Sequence, residues 1–387
     1  MRRVLRPADA NGPAFTSAYV RTGPRTPHPT VVIPGGPGLG SILPYRALRR
    51  RAAQGGLDVI MIDHRGVGFS RDDRHGRRLP QSAMRIRDVV DDIAAVLDAE
   101  GVERAYIAGS SYGSYLAGSF GAQHPTRVAG MLLDSALQST DDMRIEREII
   151  RAHFWDADTA VASAVHALAA EGVPDRPLLD GIRAAFELGG DDLVIAIAEA
   201  KLRHPWSAVW RGLGIYAARD ESIIRIPGFY EFDTVGAIGF RELGYGGEAD
   251  GLPLDPALTY ARLADRFPPF SGAPYDLTKE IAAFDWPLVA LSGRRDLRTP
   301  PVIAQRAVDT APDGVLVEIE NGHSALDMHP LAFLNAVRAL VHGTQHRLPA
   351  LEDRLDALPL HGLSANLPRV LRAGAGIERM LPPAPWR

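Results

Sequence analysis

The five residues Gly109-Ser110-Ser111-Tyr112-Gly113 constrain this chain more than any other stretch. They read G-x-S-x-G. An apolar segment, Ala105 to Ala108, leads into them, and a small-residue segment from Gly113 to Gly121 leads out. A strand that turns sharply into a helix lifts the side chain at the turn to the top of a sheet. Glycines flank such a turn because a side chain there would strike neighbouring strands. The pattern predicts a strand-turn-helix unit that displays the Ser111 hydroxyl as a nucleophile. With 38 glycines among 387 residues the letters alone are weak evidence, and the strand before and helix after carry the argument.

The rest of the composition is that of an ordinary globular chain. A length of 387 residues allows a sizeable core and two to three units of ~150 residues. Apolar residues make up 46% and charged residues 23%, with a net charge of -4. No basic excess points to nucleic acid, and Arg46, Arg49, Arg50 and Arg51 read as the solvated face of one helix. The absence of cysteine excludes disulfides, thiolate catalysis and thiolate-bound zinc. Met1 to Thr22 carries no apolar secretory core, and no apolar run approaches the ~18 residues of a membrane span. The expectation is a soluble cytoplasmic protein that binds no nucleic acid or membrane.

Strands are expected at Ala14–Arg21, Thr30–Pro34, Leu57–Asp63, Ala105–Gly109 and Val128–Asp134. Helices are expected at Ile42–Ala53, at Gln81–Glu100 from its helical apolar spacing, and from the turn to Gln123. Gly101 suits a helix stop. This alternation implies an α/β fold with a mostly parallel sheet and helices on both faces. From 139 to 284 the alternation lapses into helical segments, Met143–Ala170, Leu178–Leu188 and Asp191–His204, which read as an inserted helical cap. Alternation returns with strands Pro287–Ser292 and Val315–Glu320 and helices Pro301–Thr310 and Leu331–Val341. The expected division is 1–138 and 285–343 for the core, 139–284 for the cap and 344–387 for a C-terminal extension.

A serine hydroxyl needs a general base, and the base needs a third group to orient it and stabilise its charge. For a serine on this kind of turn the acid and then the histidine follow in the chain. Asp296, in Ser292-Gly293-Arg294-Arg295-Asp296, stands directly after a strand, where ligand sites of open α/β sheets form. Asp134 also follows a strand and is the rival acid. Of the twelve histidines, His323 in Glu320-Asn321-Gly322-His323-Ser324 occupies the slot after the last strand. The oxyanion of a tetrahedral intermediate needs preorganised amides. The amides of Tyr112 and of Gly36, in Gly35-Gly36-Pro37-Gly38, are the candidates.

Together these segments resemble the α/β-hydrolase fold serine peptidases of the prolyl iminopeptidase and tripeptidyl aminopeptidase family. The resemblance rests on Pro34-Gly35-Gly36-Pro37-Gly38, Asp63-His64-Arg65-Gly66-Val67-Gly68-Phe69-Ser70, the Gly109–Ala117 segment, Gly293–Asp296 and Gly322–Ser324. It spans about 30–136 and 287–341, with Pro34 and His64 departing from the usual residues. It implies a Ser111-His323-Asp296 triad, no metal or other cofactor, and acidic cap residues that bind a substrate's α-ammonium. Asp220, Glu221 and Glu231, near Tyr216, Phe229 and Tyr230, are the candidates for that last role. The expected function is an aminopeptidase acting on short peptides through an acyl-enzyme. The alternative is an ester, thioester or lactone hydrolase of small molecules with the same triad. An epoxide hydrolase of this fold would need an aspartate where Ser111 stands. A binding protein without activity would be expected to have lost part of the triad.

Overall fold

A computed structural model of the chain describes residues 1–217, 225–360 and 363–382. Its main sheet has eight strands in the order β1-β2-β4-β3-β5-β6-β9-β10. These are β1 (Arg2–Arg6), β2 (Phe15–Thr22), β3 (Thr30–Ile33), β4 (Val59–Asp63), β5 (Ala105–Ser110), β6 (Val128–Asp134), β9 (Leu288–Gly293) and β10 (Gly314–Ile319). In that sheet β4, β3, β5, β6, β9 and β10 pair in parallel, whereas β2 runs antiparallel to both β1 and β4. Every residue of β4 and β9 is buried, as expected for parallel strands covered on both faces. Side chains alternate between the two faces along each strand. Ile60 and Ile62 of β4 pack into one core, and Val59 and Met61 into the other.

The helices covering the sheet are α1 (Arg46–Gln54), α2 (Ile86–Ala99), α3 (Tyr112–Gln123), α9 (Pro301–Thr310) and α10 (Pro330–Val341). Helices α1 and α2 begin four and five residues later than the spacing predicts, and Gln81–Ala83 forms a separate 3₁₀ turn. The edge strand β1 is missed by the sequence reading. Its Arg-Arg-Val-Leu-Arg run is largely exposed, and charge on an edge discourages pairing with other chains.

Among the described residues between β6 and β9 no strand joins the main sheet. It forms α4 (Asp142–Phe154), α5 (Ala160–Ala170), α6 (Asp175–Arg203), α7 (Ala208–Ala217), a hairpin of β7 (Arg225–Ile226) and β8 (Tyr230–Glu231), and α8 (Phe232–Leu243). The expected single helix from Met143 to Ala170 is thus two, and the two expected across 178–204 form α6, which kinks at Gly190 where φ is 70°. Helices α4 to α7 share one hydrophobic cluster with the last helix, α11 (Leu363–Met380), through Leu371 and Ala375. Helix α8 packs elsewhere: Phe232, Val235, Ile238 and Phe240 join the core on one face of the sheet. Among the described residues no helix is long and apolar enough to cross a membrane.

Candidate active site

Ser111 sits between the end of β5 and the start of α3 with φ 53° and ψ -122°. That region is costly for a residue with a Cβ, so the turn must be held by its surroundings. The Ser111 amide donates to the Asp134 carbonyl at 2.8 Å, and the Ser111 carbonyl accepts from the Ser114 amide at 2.8 Å. The flanking glycines are steric necessities. A Cβ on Gly109 would lie 2.0 Å from the Gly113 carbonyl oxygen, and one on Gly113 would lie 2.2 Å from that of Ile33.

The structure brings Ser111, His323 and Asp296 together. His323 Nε2 lies 2.8 Å from Ser111 Oγ, and His323 Nδ1 lies 3.0 Å from each oxygen of Asp296. Asp296 is buried at the end of β9. Burial opposes its ionisation, but the adjacent His323 and the Thr299 amide outweigh burial and hold the carboxyl below its usual range. Burial likewise disfavours a charged His323, and Asp296 reverses this, so the imidazole pKa lies above its ordinary value. The sequence reading missed Thr299. Its amide and that of Arg298 each donate to Asp296 Oδ1 at 3.0 Å, and its hydroxyl donates to Oδ2 at 2.8 Å. An aspartate that collects the amides two and three residues on is an Asx turn, a signal present in Asp296-Leu297-Arg298-Thr299.

The rival acid, Asp134, does not meet the histidine ring. Its carboxylate accepts the amides of Ala325 and Leu326, both at 2.9 Å, and so braces the turn that follows His323. Complete burial pushes Asp134 up to about 6, against the bonds from Ser110, Leu326 and Ala325. In the same turn Ser324 has φ 66°, its amide donates to Ser135 Oγ at 2.8 Å, and its hydroxyl donates to Asp327 at 2.7 Å.

Gly35 and Gly36 line the same cavity as Ser111 and His323. A Cβ on Gly35 would lie 3.2 Å from Ser111 Cβ, so this backbone approaches Ser111 closely. Tyr112 is the first residue of α3, and its amide has no acceptor within the helix. The partial positive charge of the helix N-terminus favours an anion there.

The Asp63–Ser70 segment braces this loop. Asp63 accepts the amides of Ser41, Ile42 and Phe69 at 2.8, 2.9 and 3.1 Å. Arg65 pairs with the fully buried Asp92 of α2 at 2.8 Å, and Ser70 Oγ accepts the Ala18 amide at 2.7 Å. His64 Nδ1 meets the Arg65 carbonyl at 2.7 Å, and burial pushes the His64 pKa down to about 4, which keeps it neutral.

The triad opens into a cavity of about 600 Å³. Leu137, Leu188, Leu243, Tyr245 and Tyr260 supply apolar and aromatic wall, and α4 and α6 supply charge. The charges are paired: Asp142 with Arg306 at 2.7 Å, Glu146 with Arg183 at 3.2 Å and Glu187 with Arg298 at 3.4 Å. Burial pushes Glu146 up to about 7 despite Arg183. Glu187 Oε1 is buried and makes no hydrogen bond among the described residues. It stands close to the triad, since a Cβ on Gly322 would lie 2.7 Å from Glu187 Cβ.

Of the expected ammonium-binding residues, Asp220 and Glu221 lie outside the described residues. Glu231 is buried but does not line the cavity. Its carboxylate accepts the Gly68 amide and pairs with Arg71 at 3.2 Å. Asp142, Glu146, Glu187 and Asp327 are cavity-lining carboxylates that the sequence reading missed. A signal was present, because the buried stripe of α4 runs Asp142, Glu146, Ile150, Phe154, with acids at half its positions.

Residues 29–202 match the family model described as alpha/beta hydrolase fold. The chain has that fold. Epoxide hydrolase B of Mycobacterium tuberculosis is 38% identical over 80 residues, 21% of each chain. A probable proline iminopeptidase of Leptolyngbya boryana is 30% identical over 121 residues, 30% of this chain and 34% of the relative. The curated relatives are matched over about a fifth to a half of their own length. A thermophilic esterase from Thermogutta terrifontis superposes with a TM-score of 0.52 at 19% identity, over 89% of this chain and 100% of that one.

Proposed function

We propose that the protein is a serine hydrolase that transfers an acyl group to Ser111 and then to water. The observation that carries this reading is the unbroken run from Ser111 Oγ through His323 to Asp296 at 2.8 and 3.0 Å. Ser111 attacks a carbonyl carbon while His323 Nε2 takes its proton. The amides of Gly36 and Tyr112 receive the developing oxyanion. His323 then returns the proton to the leaving group, and a water repeats the sequence on the acyl-enzyme. Serine at position 111 speaks against epoxide opening, which would leave a serine ether that no later hydrolytic step at a carbonyl could release.

We read the substrate as a short peptide with a free N-terminus. A buried ammonium requires a nearby anion, and Glu187, which lines the cavity with His323, supplies a buried oxygen that makes no hydrogen bond among the described residues and faces Arg298 at 3.4 Å. Glu146 stands beside it on the cavity wall. The second reading, a small ester, thioester or lactone, is favoured by the apolar wall and by the arginines that pair with both acids. Turnover of alanyl, prolyl and tripeptidyl fluorogenic amides beside p-nitrophenyl esters separates the two. Ester turnover without any amide turnover would exclude the peptidase, and activity that survives Ser111→Ala would exclude the triad.

A further inference from the structure

We infer that Glu231 is a positioning residue for the oxyanion loop, tying the hairpin β7–β8 to Gly35–Gly40. The inference rests on the reading above, in which Gly36 supplies an oxyanion donor.

The tie is made first by backbone. The Glu231 amide donates to the Gly38 carbonyl, and the Gly40 amide donates to the Phe229 carbonyl, both at 2.8 Å. Leu39 and Tyr230 stand opposite each other between these bonds as an antiparallel bridge. The loop thus docks on the hairpin through a single bridge flanked by two backbone hydrogen bonds. The approach is too close for side chains: a Cβ on Gly38 would lie 3.0 Å from the Glu231 carbonyl carbon, and one on Gly40 would lie 2.6 Å from the Gly228 oxygen.

The side chain then fixes the strand. The Glu231 carboxylate is buried against the Gly68 amide and Arg71, and Arg71 also pairs with Asp233 at 2.7 Å. Swinging Glu231 toward the cavity would strip a buried guanidinium of one of its anions, which is costly. The next amide, that of Phe69, belongs to Asp63, which also holds Ser41 and Ile42. Two acids therefore share one turn, Gly68-Phe69. Asp63, at the end of β4, also holds Ser41 and Ile42 directly after the oxyanion loop, and Glu231, in the hairpin, holds Gly38 within it.

The consequence is kinetic. Oxyanion donors stabilise charge only when held in place beforehand, and a misplacement of about 1 Å costs on the order of 10²-fold in rate. Ile226 and Tyr230 of the same hairpin line the cavity. A substrate seated against Tyr230 therefore presses on the strand that holds Gly38.

The test uses Glu231→Gln and, as an independent way to loosen the same contact, Gly40→Ala. Both are compared with wild type in p-nitrophenyl acetate and alanyl p-nitroanilide turnover and in phosphonylation of Ser111 by a fluorophosphonate. The expected result is a 10- to 100-fold loss of kcat on every substrate turned over. KM should stay within threefold, phosphonylation should fall equally, and the acid limb of the pH profile set by His323 should not move. A loss confined to KM for the free-amine substrate would make Glu231 an ammonium ligand and overturn the proposal. Wild-type rates in both variants would overturn it as well. Should Glu231→Gln fail to fold, Gly40→Ala decides by the same criteria. Wild-type protein that is not phosphonylated at Ser111 would instead overturn the underlying serine hydrolase reading, and this inference with it.

Discussion

Asp296 meets His323 Nδ1 with both of its carboxylate oxygens, each at 3.0 Å. The pair holds the imidazolium more firmly than water does, so the His323 pKa lies above 6.5. The general base must be neutral to accept the serine proton. Activity is therefore lost as pH falls through a midpoint above 6.5, and kcat/KM against pH checks this. Asp296→Asn is expected to lower kcat by about 10⁴-fold by removing the anion that orients the ring. A midpoint at or below 6.5 in wild type would contradict the reading.

Asp134 gives a stability effect of defined sign. Its carboxyl sits at about 6 in the folded protein, above the ~3.9 of an unfolded aspartate. Between those values the folded state keeps a proton that the unfolded state has released, so this group makes stability fall as pH rises from about 4 to 6. Asn cannot titrate, and its NH2 group replaces one of the two accepting oxygens, setting donor against donor at either the Ala325 or the Leu326 amide. Asp134→Asn is thus less stable than wild type, and the gap narrows by roughly 2–3 kcal/mol across that window. Urea unfolding at pH 4 and pH 6 measures the gap, and a gap that widens would refute the assignment.

Glu187→Gln separates peptide from ester chemistry. If the buried Oε1 receives an ammonium, KM for alanyl or prolyl p-nitroanilide rises at least 10-fold more than KM for a p-nitrophenyl ester, equivalent to about 1.4 kcal/mol. An equal change on both substrates would remove Glu187 from amine recognition.

Gly113→Ala tests the turn itself. The added methyl would lie 2.2 Å from the Ile33 carbonyl oxygen, and backbone cannot move aside as a side chain can. The expected loss is about 3 kcal/mol or more, at the upper end for overpacking. A fall in Tm reads it directly.

What was legible in the sequence was whatever backbone geometry dictates. Gly109 and Gly113 announce the turn because no other residue fits, and the buried parallel strands announce themselves as unbroken apolar runs. Asp296 and His323, which the structure places beside Ser111, stand out in the sequence because each follows a strand. The residues that line the cavity were harder. Glu146 and Glu187 lie on helices where charge ordinarily means solvent, and only the packing of α4 and α6 against the triad turns them inward. Glu231 shows the opposite failure. An acid beside aromatic residues looked like a ligand, yet Arg71, 160 positions earlier in the chain, claims it. Partners so distant leave no local pattern.

Helix α11 gives the chain a further dependence. Leu371 and Ala375 complete the cluster formed by α4 to α7, and Glu378 accepts the Ala208 and Val209 amides at 2.8 and 3.1 Å where α7 begins. Glu378→Ala removes that cap and is expected to cost about 1–2 kcal/mol, with faster amide exchange in α7 as the local readout.

The same packing sets an order of events during synthesis. Among the described residues all ten strands, Ser111, Asp296 and His323, and the cavity-wall residues from Leu137 to Tyr260 precede residue 325, whereas the helix that closes the α4–α7 cluster ends at Met380. A growing chain thus leaves the apolar faces of α6 and α7 open until residues 363–380 follow and α11 covers them. The α4–α7 cluster is sealed by a segment that follows, in the chain, every helix it covers.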